Sequence, residues 1–306
     1  MKTTMINILY VLLILLCLSG YINSPVALIL GFLFTFFLGK PFEKFTGKTI
    51  QYLLKISVVG LGFGMYLMET IKTGKEGFTL TVITISATLI SGFFLARFLK
   101  IEKKLGHLIS SGTSICGGSA IAAVSPVIKA NPQIISLALG VVFLLNSVAL
   151  FIFPAIGHFF NMTQQQFGLW AAVAIHDTSS VIGAALDYGE EALRVATTVK
   201  LARTLWIIPV SIISTFLFKN KDERIKVPWF ILFFIVAILL NTYLNLPAAL
   251  TQSITGISKR LLIVTLFLVG TTLSINDVKE TGTRTFVFGI MLWIFISVIS
   301  LLFVLN

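Results

Sequence analysis

Three glycines and three hydroxyl residues interrupt an otherwise apolar stretch in "GTSICGGSAIAA", residues 112–123. Glycine inside a helix costs about 0.5–1 kcal/mol relative to alanine, so this composition predicts a broken transmembrane helix. Backbone groups freed inside a bilayer need a partner, and the N-terminal end of a half-helix is suited to an anion. Close packing of helices through small residues is the alternative. The residues predicted to bind substrate here are Gly112, Thr113, Ser114, Gly117, Gly118 and Ser119.

A second Gly-Thr motif, "VGTTL" at residues 269–273, resembles "SGTSI" at residues 111–115. The two motifs lie in the fifth and tenth apolar segments, which would cross a membrane in opposite directions. Weak inverted repeats of this kind are typical of transporters. We therefore predict a second broken helix there, with Gly270, Thr271 and Thr272 also binding substrate. A match between the third and tenth segments is the alternative, and it leaves the second half incomplete.

Five consecutive polar residues interrupt the seventh apolar segment, in "AIHDTSSVIGAA" at residues 174–185. A carboxylate inside a membrane helix is expensive and indicates a functional site. We expect this group to couple transport to an ion, with Asp177 binding Na⁺ or carrying a proton. The alternative is a structural pair between Asp177 and a basic side chain of another helix. The residues of this predicted ion-coupling group are His176, Asp177, Thr178, Ser179 and Ser180.

Two basic residues lie three positions apart in "VKLAR", residues 199–203, and therefore share one helical face. Arg203 offers a planar fork that suits an oxyanion, and Lys200 offers a point charge. We predict that they supply positive charge to the substrate path, or that one of them pairs with Asp177. The alternative is that both reach to the membrane interface. Asn146, a single polar residue inside an apolar segment, is interpreted as a helix-packing contact.

The composition places these motifs in a membrane. Of the 306 residues, 57% are hydrophobic and 11% charged, against about 25% charged in soluble domains. The mean hydropathy is +0.99, and the net charge of +11 is spread over short gaps between apolar segments. This distribution argues against a nucleic-acid partner. No phosphate-binding loop or metal-ligand spacing is present in the sequence, so we expect no cofactor and no enzymatic activity.

Eleven apolar segments are long enough to be counted as spans, which predicts an all-α polytopic membrane protein. The densest Lys and Arg clusters, at residues 40–48, 97–104 and 219–226, favour a cytoplasmic N-terminus. We predict one transmembrane domain over residues 1–306, with an extra N-terminal helix (1–24) and two inverted five-helix repeats (25–158 and 166–306). Spans five and ten would be broken and cross. The predicted spans are 6–20, 25–39, 50–69, 78–98, 107–128, 133–156, 167–187, 195–217, 228–246, 257–275 and 284–304.

Three of these motifs carry a family resemblance. "GTSICGGSAIAAVSPVIKA" (112–130), "AIHDTSSVIGAA" (174–185) and "VKLAR" (199–203) resemble the YeiH-type sulfate exporter family of bacterial inner-membrane proteins. Hydropathy and length agree over nearly the whole chain. That family is distantly similar to the sodium/proton antiporter and bile-acid symporter superfamily. The resemblance implies two inverted repeats with broken helices that cross, and export of sulfate or organosulfonate.

The expected function is secondary active transport of a small anion, plausibly sulfate or an organosulfonate, by alternating access coupled to H⁺ or Na⁺. A cation/proton antiporter that uses Asp177 is the main alternative, and a channel is a further one. The expected location is the bacterial cytoplasmic membrane. The expected partners are the small anion, the coupling ion and the lipid bilayer, and a homodimer is one arrangement to test.

Overall fold

The structure, a computed structural model, describes residues 2–39, 41–218, 230–244, 246–272 and 282–305. Within these ranges every regular element is an α-helix and no strand occurs, which confirms the predicted all-α class. The fourteen helices of these ranges are α1 (Lys2–Leu18), α2 (Ser24–Leu38), α3 (Glu43–Gly62), α4 (Leu67–Phe98), α5 (Lys103–Ser114), α6 (Gly118–Val127), α7 (Pro132–Phe159), α8 (Gln164–Ala174), α9 (Thr178–Tyr188), α10 (Glu190–Thr204), α11 (Ile207–Phe218), α12 (Phe230–Leu244), α13 (Ala248–Thr272) and α14 (Thr283–Leu305).

Several helices begin at residues that satisfy their first N–H groups. The side-chain oxygens of Asn23 and Asn131 accept from N–H groups in the first turns of α2 and α7, at 3.1 and 2.8 Å. Proline follows each asparagine, where its missing N–H is harmless. Thr163 and Gln166 form a capping box at the start of α8. These local signals fix where the longer elements enter the bundle.

The outer surface is strongly apolar. Phe37, Phe94 and Phe216 are 73%, 65% and 73% exposed, and many other large apolar side chains share this surface. In water such a surface would be an aggregation liability, whereas in a bilayer it faces lipid chains. The chain is therefore built as a polytopic membrane protein.

The number of long apolar helices differs from the predicted eleven. By length and composition, five helices of the described residues could cross a membrane, or six when one pair bent by 112° is counted as one span. The five are Gly77–Phe98, Gln133–Phe159, Glu190–Phe218, Ala248–Thr272 and Thr283–Leu305. The helix lengths do not support the count of eleven or its division into two repeats. The physical reason is that other predicted spans are divided into short helices of 10 to 12 residues or form helices of 15 to 17 residues.

The break predicted in span ten is not found in the described part of that span. Helix α13 is continuous to Thr272, and residues 273–281 lie outside the described residues. Gly270 serves close packing instead, because a Cβ atom there would lie 3.1 Å from the Cα atom of Gly31 in α2. The hydroxyls of Thr271 and Thr272 donate to carbonyl oxygens one turn earlier in α13. Up to Thr272 this motif is therefore a helix-packing surface.

Helices α5 to α10 contain or flank two of the helix breaks found in the described residues, and a further one separates α3 from α4. Helix α13 packs mainly along α2 and α3, while α10 packs against α8, α9 and α4. Helix α5 packs against α4, α6 and α7, and α9 contacts α7, α8 and α10 as well as α2 and α13. The predicted spans five (α5 and α6) and seven (α8 and α9) thus both pack against α7, and each of them is interrupted.

Candidate functional site

The first break separates α5 from α6 at residues 115–117, within the glycine-rich motif. Gly117 has φ +63° and ψ −121°, a backbone conformation that residues with a Cβ atom rarely adopt. Its N–H donates to the carbonyl oxygen of Gly112 at 2.8 Å, which closes the end of α5. The interruption predicted for span five is therefore present in the structure. We call residues 115–117 break one.

The other glycines of this motif have packing roles. A Cβ atom at position 112 would lie 3.0 Å from the side chain of Ile121, and one at position 118 would lie 3.0 Å from the ring of Phe143. Gly112 therefore lets the end of α5 lie against α6, and Gly118 lets α6 lie against α7. Of the glycines in this motif, Gly117 is the one whose backbone conformation requires glycine.

Gly117 is the N-cap residue of α6, and it has no side chain that could accept from the first N–H groups of that helix. The Cys116 thiol, a weak hydrogen-bonding group, contacts the N–H of Ala120. The Thr113 hydroxyl is buried and has no hydrogen-bond partner among the described residues, whereas Ser114 donates to a carbonyl oxygen within α5. Ser119 lies exposed in the first turn of α6. This helix end therefore keeps most of its capacity to attract negative charge.

A second break, at residues 175–177, separates α8 from α9 in the predicted span seven. Asp177 is the N-cap of α9, and its carboxylate accepts from the N–H groups of Ser179 and Ser180 at 3.0 and 3.4 Å. It also accepts from the Ser179 hydroxyl. Asp is among the preferred N-cap residues, and its charge complements the positive helix end. We call residues 175–177 break two.

The two breaks touch each other. A Cβ atom on Gly117 would lie 3.5 Å from both the Cα and the N atom of Asp177. The absence of a side chain at position 117 therefore lets the two irregular backbones pass in direct contact. Spans five and seven are the broken helices that meet here, rather than the predicted pair of spans five and ten.

Lys200 joins the two breaks by binding carbonyl oxygens at the ends of the helices that precede them. Its ammonium donates to the carbonyl oxygen of Ile115 in break one at 3.0 Å. It also donates to those of Ala172 and Ile175, at the end of α8, at 3.2 and 2.8 Å. These bonds use all three donors of the ammonium, and the side chain is fully buried. Lys200 thus places one positive charge at the negative ends of both α5 and α8.

Arg203 lies one turn further along α10 and is also fully buried. Its Nη1 atom donates to the Thr84 hydroxyl on α4 at 2.8 Å. Its Nε and Nη2 atoms have no hydrogen-bond partner in the described residues. These two nitrogens share one edge of the guanidinium, and such an edge binds two oxygen atoms of an oxyanion side by side. Both basic side chains are enclosed by the protein rather than extended along its surface.

The basic residues and Asp177 do not form an ion pair. Among the described residues the ion pair found is Lys259 with Glu190, the first residue of α10 and thus at the opposite end of that helix from Arg203. Two buried cations therefore face one half-buried carboxylate that already caps a helix. No group of three or more His, Cys, Asp and Glu residues that could hold a metal ion occurs in the described ranges.

His176 and Asn146 complete the polar region around break two. The backbone N–H groups of His176 and Asp177 donate to the Asn146 side-chain oxygen at 2.9 and 3.1 Å. The His176 ring is fully buried, lies within electrostatic range of Lys200 and Arg203, and has no partner for either nitrogen in the described part of the chain. Thr178, Ser179 and Ser180 form the buried first turn of α9.

Sequence reasoning missed the roles of Asn146 and Thr84. The available signal for Asn146 was its position in the middle of a 28-residue apolar helix, where an amide is expensive. Thr84 carried no signal, because threonine is common in membrane helices. Gly270, Thr271 and Thr272 lie on α13 against α2, and the main packing partners of that helix do not include α5 or α6.

Comparison with known proteins places the chain in a family. Residues 4–289 match the family model described as "Conserved hypothetical protein 698". A UPF0324 membrane protein of Bacteroides thetaiotaomicron is 51% identical over 288 residues, which cover 94% of this chain and 87% of that protein. One of Photobacterium profundum is 50% identical, covering 97% and 91%, and one of Porphyromonas gingivalis is 48% identical, covering 94% and 88%. No solved structure matches the chain.

These matches extend over almost the whole chain and include all three motifs. They are consistent with the resemblance to the YeiH-type family, which rested on those motifs. The printed names of the relatives describe membrane proteins, in agreement with the apolar helices and surface. The chain belongs to the family of conserved hypothetical protein 698, the UPF0324 membrane proteins.

Proposed function

We propose that the protein is a secondary active transporter that moves a small oxyanion, sulfate or an organosulfonate, out of the cell by alternating access. In this proposal it lies in the bacterial cytoplasmic membrane with its N-terminus in the cytoplasm. The observation that carries the proposal is the free guanidinium edge of Arg203, fully buried beside two touching helix breaks.

The charge balance of the site supports an anion. Lys200 and Arg203 are fully buried, and in the described part of the chain neither forms an ion pair with a carboxylate. An uncompensated buried charge is strongly unfavourable, so an anionic ligand would stabilise this arrangement. A site built to bind Na⁺ would instead present an excess of oxygen ligands. The cation/proton antiporter reading therefore has less support.

The two basic residues have different roles in this proposal. Lys200 has no free donor, so it positions the breaks and contributes charge. Arg203 has a free edge and binds the anion, assisted by the uncapped N-terminal end of α6. Asp177 lies at the contact between the breaks and couples anion movement to H⁺ or Na⁺.

Arg203→Gln tests the proposal, because glutamine keeps a polar side chain but lacks the charge and the free edge. We expect sulfate or methanesulfonate to raise the thermal unfolding midpoint of the purified wild-type protein, and the affinity of the variant to fall at least tenfold. Arg194→Gln, on the exposed side of the same helix, is the matched control and keeps full affinity. Proteoliposomes that exchange Na⁺ for H⁺ without responding to either anion would overturn the proposal in favour of the antiporter.

A further inference from the structure

Asn146 is a buried amide whose oxygen is fully occupied. It lies near the middle of the apolar helix α7 and is 2% exposed. Its side-chain oxygen accepts two backbone N–H groups of break two, from His176 at 2.9 Å and Asp177 at 3.1 Å. Because both partners are donors, the oxygen must face break two. The orientation of the amide follows from this contact.

The amide nitrogen of the same side chain carries two N–H donors, and neither meets an acceptor in the described residues. The Nδ2 atom of Asn146 is buried and has no hydrogen-bond partner in the described residues. Leaving a buried donor unsatisfied destabilises the folded protein, so such a group calls for a ligand. Asn241 gives the comparison, since it is also buried in an apolar helix, α12. Its Nδ2 atom donates to the carbonyl oxygen of Met65 at 3.1 Å, and its role is structural.

The neighbouring groups without partners can also act as donors. The buried His176 ring follows directly after Ile175, whose carbonyl oxygen binds Lys200, and Arg203 lies one turn beyond Lys200 on α10. The Asn146 side chain accepts from the backbone N–H of His176, and the His176 ring is within electrostatic range of Arg203, so the three side chains lie in one region. The Arg203 edge and the Asn146 NH₂ group can only donate, which matches an oxyanion and mismatches a metal cation.

We propose that Asn146 is a specificity-determining residue whose amide N–H groups donate to an oxygen of the transported anion. This inference rests on the anion transport proposed above and adds the residue that makes the site select an oxyanion. A neutral amide provides directed donors without adding charge, so it favours ligands with several acceptor oxygens, such as sulfate or a sulfonate, over chloride.

Asn146→Asp removes the donor edge and adds a carboxylate in its place, whereas Asn146→Ser removes the donor edge without adding a charge. The aspartate keeps an acceptor oxygen for both backbone N–H groups of break two and replaces the NH₂ group by a second oxygen of equal size. We expect the affinity for sulfate and methanesulfonate, measured by calorimetry on the purified protein, to fall at least tenfold. We expect the unfolding midpoint without ligand to stay close to that of wild type.

Asn131→Asp is the matched control, because it makes the same change on the same helix. Asn131 is the N-cap of α7, accepts from the N–H of Ile134 at 2.8 Å, and is exposed. Its variant keeps wild-type affinity within twofold. If Asn146→Asp unfolds, Asn146→Ser removes the amide without adding a charge, and the same tenfold loss is expected in that folded variant.

The outcomes separate this inference from the proposed function. If the wild type binds the anions and folded Asn146 variants bind them within twofold of it, the role of Asn146 is overturned while anion transport stands. If the wild type binds neither anion, both proposals fail together. A loss of affinity in the Asn146 variants with none in Asn131→Asp supports the assignment.

Discussion

The two helix breaks meet at one point, yet the helices that follow them begin in opposite ways. At break two, the chain places the carboxylate of Asp177 on the first N–H groups of α9. At break one, Gly117 leaves the start of α6 without a side-chain cap. The positive end of α9 is therefore neutralised by the protein itself, while the positive end of α6 remains available. In the transport function proposed above, ion coupling therefore belongs to break two and substrate attraction to break one.

The helices that precede the two breaks end in the same way, because one residue binds the carbonyl oxygens at both ends. Lys200 bonds the carbonyl end of α5 and that of α8 together. The negative ends of both half-helices thus share a single buried cation. A movement that separates the breaks must break these bonds, so the breaks are coupled mechanically as well as electrostatically.

Removing Lys200 is expected to have the largest effect. Lys200→Met leaves three carbonyl oxygens without their buried donor, which destabilises the folded protein by about 3 kcal/mol. The measurement is thermal unfolding in detergent, and transport is lost as well. The control is Lys104→Met, because Lys104 also donates to a carbonyl oxygen, that of Lys129 at 2.7 Å, but does so at the protein surface. Equal stability losses in the two variants would contradict a joint role for Lys200 at the breaks.

Gly117→Ala changes the backbone preference at break one and leaves the residues of break two unchanged. The positive φ disfavours any residue with a Cβ atom, and that atom would lie 3.2 Å from a methyl group of Val142. We expect a loss of about 2 kcal/mol in unfolding free energy. Gly74→Ala is the control, since Gly74 is helical and a Cβ atom there meets nothing within 4 Å. A Gly117→Ala protein as stable as the Gly74→Ala protein would show that break one does not depend on this backbone conformation.

The sequence was sufficient to predict break one but not its partner. Three glycines in one apolar span are a strong local signal, and Gly117 does interrupt the helix. In the described part of the similar "VGTTL" motif the helix is continuous up to Thr272, and Gly270 packs against Gly31, which lies more than two hundred residues away in the chain. Break two had a local signal that was overlooked, since Asp followed by Thr and Ser is typical of a helix N-terminus.

The separate roles of Lys200 and Arg203 could not be predicted from their spacing. Both residues lie on one face of α10, and that was all the sequence indicated. Their partners are carbonyl oxygens 85, 28 and 25 residues away for Lys200 and a hydroxyl 119 residues away for Arg203. Such contacts depend on how separate helices cross, and no local pattern records them. The same holds for Asn146, whose two donors lie 30 and 31 residues away.

Substitution of Asp177 has the smallest expected effect on stability and the most specific one on function. Asparagine caps helices about as well as aspartate, so Asp177→Asn should keep its unfolding midpoint, whereas Asp177→Ala should lose about 1 kcal/mol with the cap. If the carboxylate couples transport to an ion, Asp177→Asn proteoliposomes still exchange sulfate but no longer respond to an H⁺ or Na⁺ gradient. A variant that keeps the gradient response would reduce Asp177 to a helix cap. The two breaks would then differ in structure, but ion coupling would not be a separate function of break two.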